Sequence, residues 1–485
     1  MPKFLVGFVA ALMLIGTGCG NEALGPRRPN VLLIVADDLG YSDVGGFGSE
    51  IPTPTLDRLA AEGVTLAEFH ATPNCAPTRA ALLSGVDYHR AGLGTMTEVE
   101  APNQQGKPGY EGHLNDRVTT IAELLRDAGY HTYMSGKWHL GFEEPSLRPF
   151  ARGFEQTFAL LAGGASHWQD NTPLIPGKSS PYARNGELLD ELPEGFYSTM
   201  AYTEQMIEFI QADRSDDKPF FAYLAYTAPH NPLHAPQETI EKYRGRYDEG
   251  WDSLRKRRME RQRELGLTPD GAPVGARPEW ILAWDELTDE QRQQRARDME
   301  IYAAMIDLLD QAIGRVLDNL RESGQYDNTL IVFLSDNGAS RTTILDYAAL
   351  GGEVAEFLEG FDNRLDNRGL PGSSTDIGPG WAYAANAPFR LMKGYVSQGG
   401  MQVPALVKLP GAMDAAGTIS RAFTHVVDVM PTVLEATGVE YPATFRGREI
   451  HAVDGLRGHH RREAAEVKND RHFVALNEVA GVVGR

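Results

Sequence analysis

Asn30 to Ala36 contain an unbroken apolar run, Val31-Leu32-Leu33-Ile34-Val35, that stops abruptly at Asp37-Asp38. A strand with one wet face alternates apolar and polar residues. A strand with no polar position must be covered on both faces, as in a parallel sheet layered between helices. Other segments fit that frame. Strand-like stretches recur at Tyr130–Met134, Pro219–Thr227, Thr329–Leu334 and Val403–Leu409. Helical patterns fall between them. Pro54–Gly63 places Leu56, Leu59 and Ala60 on one face. Asp116–Gly129 aligns Val118, Ile121, Leu124 and Leu125, with Asp116 as a candidate cap and Gly129 as the stop. Arg295–Gly324 is a long amphipathic helix. Alternating strands and helices predict an α/β fold with helices on both faces of the sheet.

Unusual polar residues collect where these strands end. Asp37 and Asp38 follow one, Asp336 and Asn337 a second, His230 a third, and Lys137 and His139 a fourth. Open α/β sheets bind ligands at the carboxyl ends of their strands, so the topology would gather this set around one crevice. Asp37, Asp38, Asp336 and Asn337 offer hard oxygen ligands suited to Ca²⁺ or Mg²⁺, while the histidines leave zinc open. Either Asp pair alone reads equally well as a helix cap; two pairs on separate strands predict a shared metal. The chain carries 46 Lys+Arg against 66 Asp+Glu, a formal charge of −20. That field repels nucleic acid. Any anionic substrate must therefore meet a local positive site. Glu238–Gln294, which includes Arg255-Lys256-Arg257-Arg258, reads as a solvated helical insertion, and the Gly- and Asp-rich Ser340–Ala387 as loops over the sheet edge.

Only two cysteines occur, Cys19 and Cys75, too few for a disulfide scaffold or a Cys-rich zinc module. Lys3 is followed by an apolar run from Phe4 to Ile15 and by Gly16-Thr17-Gly18 before Cys19. The pattern is that of an export signal, and the run is short of the ~20 apolar residues of a membrane span. Small residues before a cysteine resemble the lipobox of bacterial lipoproteins. The expectation is a signal peptide over residues 1–18, a lipid anchor at Cys19 and a tether over 19–28. The mature protein would then sit in the periplasm or on the outer membrane. A plain cleaved secretory signal is the alternative.

Cys75 stands at the start of a predicted helix, where the dipole favours a thiolate. Its context is specific. Cys75-Ala76-Pro77-Thr78-Arg79 resembles the C-x-P-x-R core of the type I sulfatase signature. Gly129-Tyr130-His131-Thr132-Tyr133-Met134-Ser135-Gly136-Lys137-Trp138-His139 resembles the second signature of that family. Pro29 to Gly40, Pro229-His230, Ser335-Asp336-Asn337-Gly338 and Met392-Lys393-Gly394 match in the same order. The resemblance spans Arg28 to Gly455 and points to the bacterial arylsulfatase branch of the alkaline-phosphatase superfamily.

The resemblance implies a large mixed, mostly parallel central sheet and a catalytic domain over residues 29–455. It implies that Cys75 is converted to formylglycine by a formylglycine-generating enzyme that reads Pro77 and Arg79. The hydrated aldehyde would carry two hydroxyls, one to attack sulfur and one to expel sulfate. Asp37, Asp38, Asp336 and Asn337 would hold one Ca²⁺, or Mg²⁺, together with residue 75. Arg79 would fix the hydrate, and Lys137 and Lys393 would contact sulfate oxygens. Asp336 would take the proton of the attacking hydroxyl, His230 with Lys393 would supply one to the leaving oxygen, and His139 would act on the second hydroxyl. His70, His113, His167, His234 and His425 are expected to be structural, with His167 and His234 nearest to substrate. The substrate would be a small-molecule or glycan sulfate ester. A phosphonate monoester or phosphodiester hydrolase is the alternative, as is an inactive surface-anchored remnant. The family normally continues into a small C-terminal α+β subdomain. Residues 456–485 show no strand–turn–strand pattern and are expected to be a truncated or frame-disrupted tail.

Overall fold

A computed structural model describes residues 28–455, apart from 270, 272–274, 343–352 and 412–414. The expected leader, Cys19 with nearly all of the tether, and the 456–485 tail lie outside the described residues.

The apolar run forms strand β1, Asn30–Ala36, buried along its whole length. Along the chain follow β2 (Val64–Leu66), β3 (Phe69–His70), β4 (His131–Lys137), β5 (Gln156–Leu160) and β6 (Tyr182–Arg184). They are succeeded by β7 (Glu187–Leu188), β8 (Phe220–Ala225), β9 (Thr329–Ser335), β10 (Ala405–Lys408) and β11 (Thr418–Ser420). All but β3 join one ten-stranded sheet in the order β11-β2-β10-β9-β1-β8-β4-β5-β6-β7. The centre, β9-β1-β8-β4-β5, is parallel, and antiparallel pairs flank it on both sides. Leu33 sits between Tyr223 of β8 and Val332 of β9.

Side chains of β1 alternate between two cores. Leu32, Ile34 and Ala36 enter one; Val31, Leu33 and Val35 enter the other. The principal helices are α1 (Pro54–Glu62), α2 (Cys75–Ser84), α3 (Ile121–Asp127), α4 (Ser198–Ala212), α5 (Gln237–Glu241), α6 (Gly250–Glu264) and α7 (Asp289–Glu322). Helices α1, α4, α6 and α7 close the first core. Helices α2 and α3, with Val429–Thr437, close the second. Each fully buried Leu or Ile contributes ~1.5–3 kcal/mol of apolar burial, so the three in β1 and the three in β9 make these central strands hard to replace.

Several expectations are corrected. Helix α3 starts at Ile121 because Thr120 and Glu123 form a capping box; Asp116 lies in the loop before it. Helix α7 starts at Asp289, six residues before Arg295, capped by Thr288 and Gln291. Strand β4 continues past Met134 to Lys137. Gly136 has φ 115°, and a Cβ there would lie 1.9 Å from the Ala225 carbonyl oxygen. Only glycine lets β4 and β8 approach this closely, and that approach delivers Lys137 to the sheet edge. Arg255 and Arg258 are buried, not solvated. Arg255 donates to the Pro388 and Phe389 carbonyls at 2.7 and 2.9 Å, and Arg258 pairs with Asp43 and Glu50 at 2.5 and 2.8 Å. Ser340–Ala387 is not all loop: it contains helices Glu353–Glu359 and Gly378–Ala385.

Candidate active site

The carboxyl ends of β1, β9, β4 and β8 meet beside the first turn of α2. Asp37 and Asp38 leave β1, Asp336 and Asn337 leave β9, Lys137 ends β4, and His230 follows β8. Cys75 opens α2 and Arg79 lies one turn in. Lys393 arrives from a loop tied to this edge by its own amide, which donates to the Ala339 carbonyl, and by Gly394, which donates to the Pro73 carbonyl. All of these side chains are at least nine-tenths buried. The structure thus brings these nine candidates together, with His139 beside Cys75.

The cations pin the acids. Arg79 Nε donates to Asp336 Oδ2 at 2.9 Å, and its Nη1 to the Lys137 carbonyl at 2.9 Å. Lys137 Nζ donates to Asp37 Oδ2 at 2.6 Å. Lys393 Nζ lies 2.7 Å from Asp38 Oδ1, which also accepts from Asn337 Nδ2 at 2.6 Å. His230 Nε2 is 3.6 Å from Asp38 Oδ2. These pairings occupy both oxygens of Asp336 but leave an oxygen open on Asp37, Asp38 and Asn337. Asp37 Oδ1, Asp38 Oδ2 and Asn337 Oδ1 are buried with no hydrogen-bond partner. Buried acceptors are almost always satisfied, so three orphans in one cluster call for a cation. Ligand atoms of Asp37, Cys75 and Asp336 lie within 4.8 Å of one another, as do those of Asp37, Asp38 and His230. Three carboxylates and an amide oxygen fit a hard divalent ion.

Protonation follows the crowding. Burial, then the Asp37 charge, push Asp336 above the usual carboxylate range, against the pull of Arg79. Burial also opposes the Asp37 charge, but Lys137, His230 and Arg79 outweigh it and hold its pKa low. Burial alone would raise Cys75, yet Lys137, Lys393 and His139 bring it down to about 6. Burial opposes the Lys393 charge and is overcome by Asp38, Cys75 and Asp37, so this amine stays protonated. Burial holds His230 at about 4 in spite of Asp38. Its Nδ1 faces the Asn231 carbonyl, so the ring donates there and turns a bare Nε2 inward. Of this pair, Lys393 and not His230 holds its proton at rest.

His167 and His234 do not reach the cleft. His167 is held by Ser198 Oγ and the His230 carbonyl, and His234 by the His167 amide and the Ser373 carbonyl. Both stand behind His230 as supports. Asp428 lies in a short turn where it accepts from the His425 amide at 2.8 Å.

Two residues escaped the sequence reading. Met96 Sδ lies 3.5 Å from Cys75 Sγ, and a Glu98 carboxylate oxygen lies 3.3 Å from His139 Nε2. Glu98 sits on the short turn Thr97–Val99 and Met96 immediately precedes it, more than 40 residues before His139. No periodicity links them to it; the only local signal was an acid next to glycine-rich chain.

The sulfatase family model matches residues 29–439. The chain belongs to the sulfatase family. It is 41% identical to an arylsulfatase of Klebsiella aerogenes, over 92% of this chain and 94% of that protein. It is 46% identical to an uncharacterized sulfatase of Schizosaccharomyces pombe, over 89% and 79% of the two chains. Among solved structures it resembles Ps i-CgsB, crystallised in complex with k-i-k-neocarrahexaose, with TM-score 0.60 and 26% identity over 92% of this chain and 77% of that one. The mostly parallel sheet of this sulfatase is alkaline-phosphatase-like, and the enzyme is a hydrolase of sulfate esters.

Proposed function

We propose an arylsulfatase-type reaction: cleavage of a sulfate monoester to phenol or alcohol plus sulfate, with Ca²⁺ held by Asp37, Asp38, Asp336 and Asn337 and with formylglycine at position 75. The observation that carries this reading is the set of orphaned buried oxygens of Asp37, Asp38 and Asn337, facing a buried residue 75 between two lysines. Formylglycine supplies two hydroxyls on one carbon, and Ca²⁺ supplies positive charge beside the sulfate. The remaining work belongs to the chain. Lys137 and Lys393 orient sulfate oxygens, with both amines already aimed into the cluster by Asp37 and Asp38. Arg79 locks Asp336 in place, and Asp336 accepts a proton from the attacking hydroxyl. Lys393 gives a proton to the leaving oxygen, with His230 beside it, and His139 serves the second hydroxyl of residue 75. The fixed charges are preorganised, so little reorientation accompanies charge development on sulfur.

Glycan sulfates are included in the substrate class because Ps i-CgsB, a structural relative, binds a carrageenan-type hexasaccharide by its name. p-Nitrophenyl sulfate, phosphate and phosphonate esters test the reaction: kcat/KM should be highest for the sulfate, and a higher value on a phosphorus ester overturns it. Peptide mass spectrometry across residue 75 tests the maturation, with unmodified cysteine in a competent host as the contrary result. Export with a lipid anchor at Cys19 rests on the leader pattern alone. Membrane fractionation of Cys19→Ala, which should release the protein into the soluble fraction, tests it.

A further inference from the structure

Glu98 is an odd neighbour for a site that binds an anion. Its carboxylate would repel sulfate, yet it points at the cluster and keeps 30% of its side-chain surface exposed. Its partner explains the placement. Both Glu98 oxygens lie 3.3–3.4 Å from His139 Nε2. Burial opposes the Glu98 charge, but His139 outweighs it and holds the carboxyl at about 2, so it acts only as an acceptor. Nε2 must then carry a proton and donate it. The other nitrogen, Nδ1, is buried and has no partner; burial opposes a charge on the ring, but Glu98 and residue 75 outweigh it and raise His139 to about 9.

The turn that carries Glu98 is built to hold still. Gly94 donates to the Gly109 carbonyl at 2.7 Å, and Gly112 to the Gly92 carbonyl at 3.0 Å, which closes the loop at its base. A Cβ at Gly112 would lie 2.5 Å from Thr97 Cγ2, so the missing side chain is the seat of Thr97. Thr97 seated there sets Glu98 on His139 and Met96 on Cys75. The far side of the imidazole rests on Gly163, where a Cβ would come within 2.7 Å of Cε1 and Nε2. The ring is clamped between a glycine and a carboxylate.

We propose that Glu98 is a positioning residue: it holds His139 with Nε2–H toward Glu98, so that in the neutral ring Nδ1 is the nitrogen left to take a proton from a hydroxyl on residue 75. The proton moves from that oxygen to Nδ1, and the electron pair left on oxygen forms the C=O bond as the bond to the departing sulfate oxygen breaks. No other reactant is needed. A carboxylate that orients a catalytic imidazole in this way is a recurring device. The inference rests on the sulfatase reading for its consequence but not for its geometry.

The test therefore has two readouts on the metal-loaded protein. Side-chain ¹⁵N spectra of histidine-labelled protein, recorded above pH 9 where the ring is neutral, should show His139 protonated at Nε2 alone in the wild type, and a tautomer mixture in Glu98→Ala. The His139 signal is identified by its absence in His139→Asn. In steady state, Glu98→Ala should lower kcat by about 10²–10⁴-fold with KM within a few-fold, and Glu98→Gln, which keeps an acceptor, should recover part of the loss. Val99→Ala, on the same turn and 59% exposed, should change neither. An unaltered tautomer or kcat in Glu98→Ala overturns the proposal. So does an equal loss in Val99→Ala, because the turn and not the carboxylate would then matter. Failure of the sulfatase reading would instead appear as a wild type inactive on sulfate esters with the tautomer intact.

Discussion

Strand β4 ends in two ionic clusters of similar composition and opposite character. At its amino end, His131 sits among Glu155, Asp213 and Asp216, with Nδ1 3.2 Å from Glu155 and Nε2 2.8 Å from Asp216. The carboxylates there are 31–39% exposed and both ring nitrogens are engaged. At its carboxyl end, Lys137 and Asp37 are fully buried, and Asp37 keeps an oxygen with no partner. Residue type does not separate the two clusters, since each mixes a base with several acids. Burial and unmet hydrogen-bonding capacity do. Water relaxes the first cluster, whereas the second is left needing a ligand.

The sharpest way to break this contrast is Lys137→Ala. Asp37 loses its closest cation while fully buried, so kcat on a sulfate ester should fall on the order of 10³-fold, and urea titration should show a stability loss of about 3–5 kcal/mol. Next is Arg258→Ala. It strands the buried Asp43, whereas Glu50 can turn to solvent, and should cost about 3–5 kcal/mol, but the folded fraction should retain kcat. A large kcat loss there would mean that the Arg258 network reaches the chemistry.

A smaller effect comes from pH. Burial lowers His167 to about 4 and His234 to about 3. Below the ordinary histidine pKa of ~6.5 the unfolded chain takes up protons that these rings refuse, so stability is lost as pH falls. From pH 7 to about 4.5 each ring should contribute on the order of 2–3 kcal/mol of loss. Urea titrations at both pH values check the sign, and His234→Gln should flatten the dependence; a stability that rises on acidification contradicts the neutral buried state. The smallest effect is expected for His131→Ala: unchanged kcat and a minor shift in Tm, because that cluster is solvated. A large loss of kcat there would erase the distinction between the two ends of β4.

Much of this was legible in residues 30–40. A run with no polar position followed by two aspartates already implies a strand covered on both faces with chemistry at its end, and β1 has that form. The long helices were visible through their periodicity, although their starts were set by Thr120 and Thr288, whose capping partners lie three residues on. The end of β4 was hidden because Ser135 and Gly136 have no apolar signal; their placement is dictated by a backbone approach. Arg255 and Arg258 looked solvated because charge usually is, and only the carbonyls and acids collected from distant segments make their burial tolerable. Glu98 was hidden for a related reason: its meaning lies in His139, and the two meet only through the folded loop.

Cys75 is 1% exposed, lies under Met96, and opens a helix whose every residue is buried. A sulfate group can pass where a second protein cannot. Under the proposed maturation, an enzyme that rewrites residue 75 would have to reach Ala76 to Ser84 as well, and these are buried once α2 docks on the sheet. Competence would then be decided in time as well as in space. A chain that closes before it is altered would keep its architecture and its ion-binding acids, with an ordinary thiol locked inside where repair comes too late.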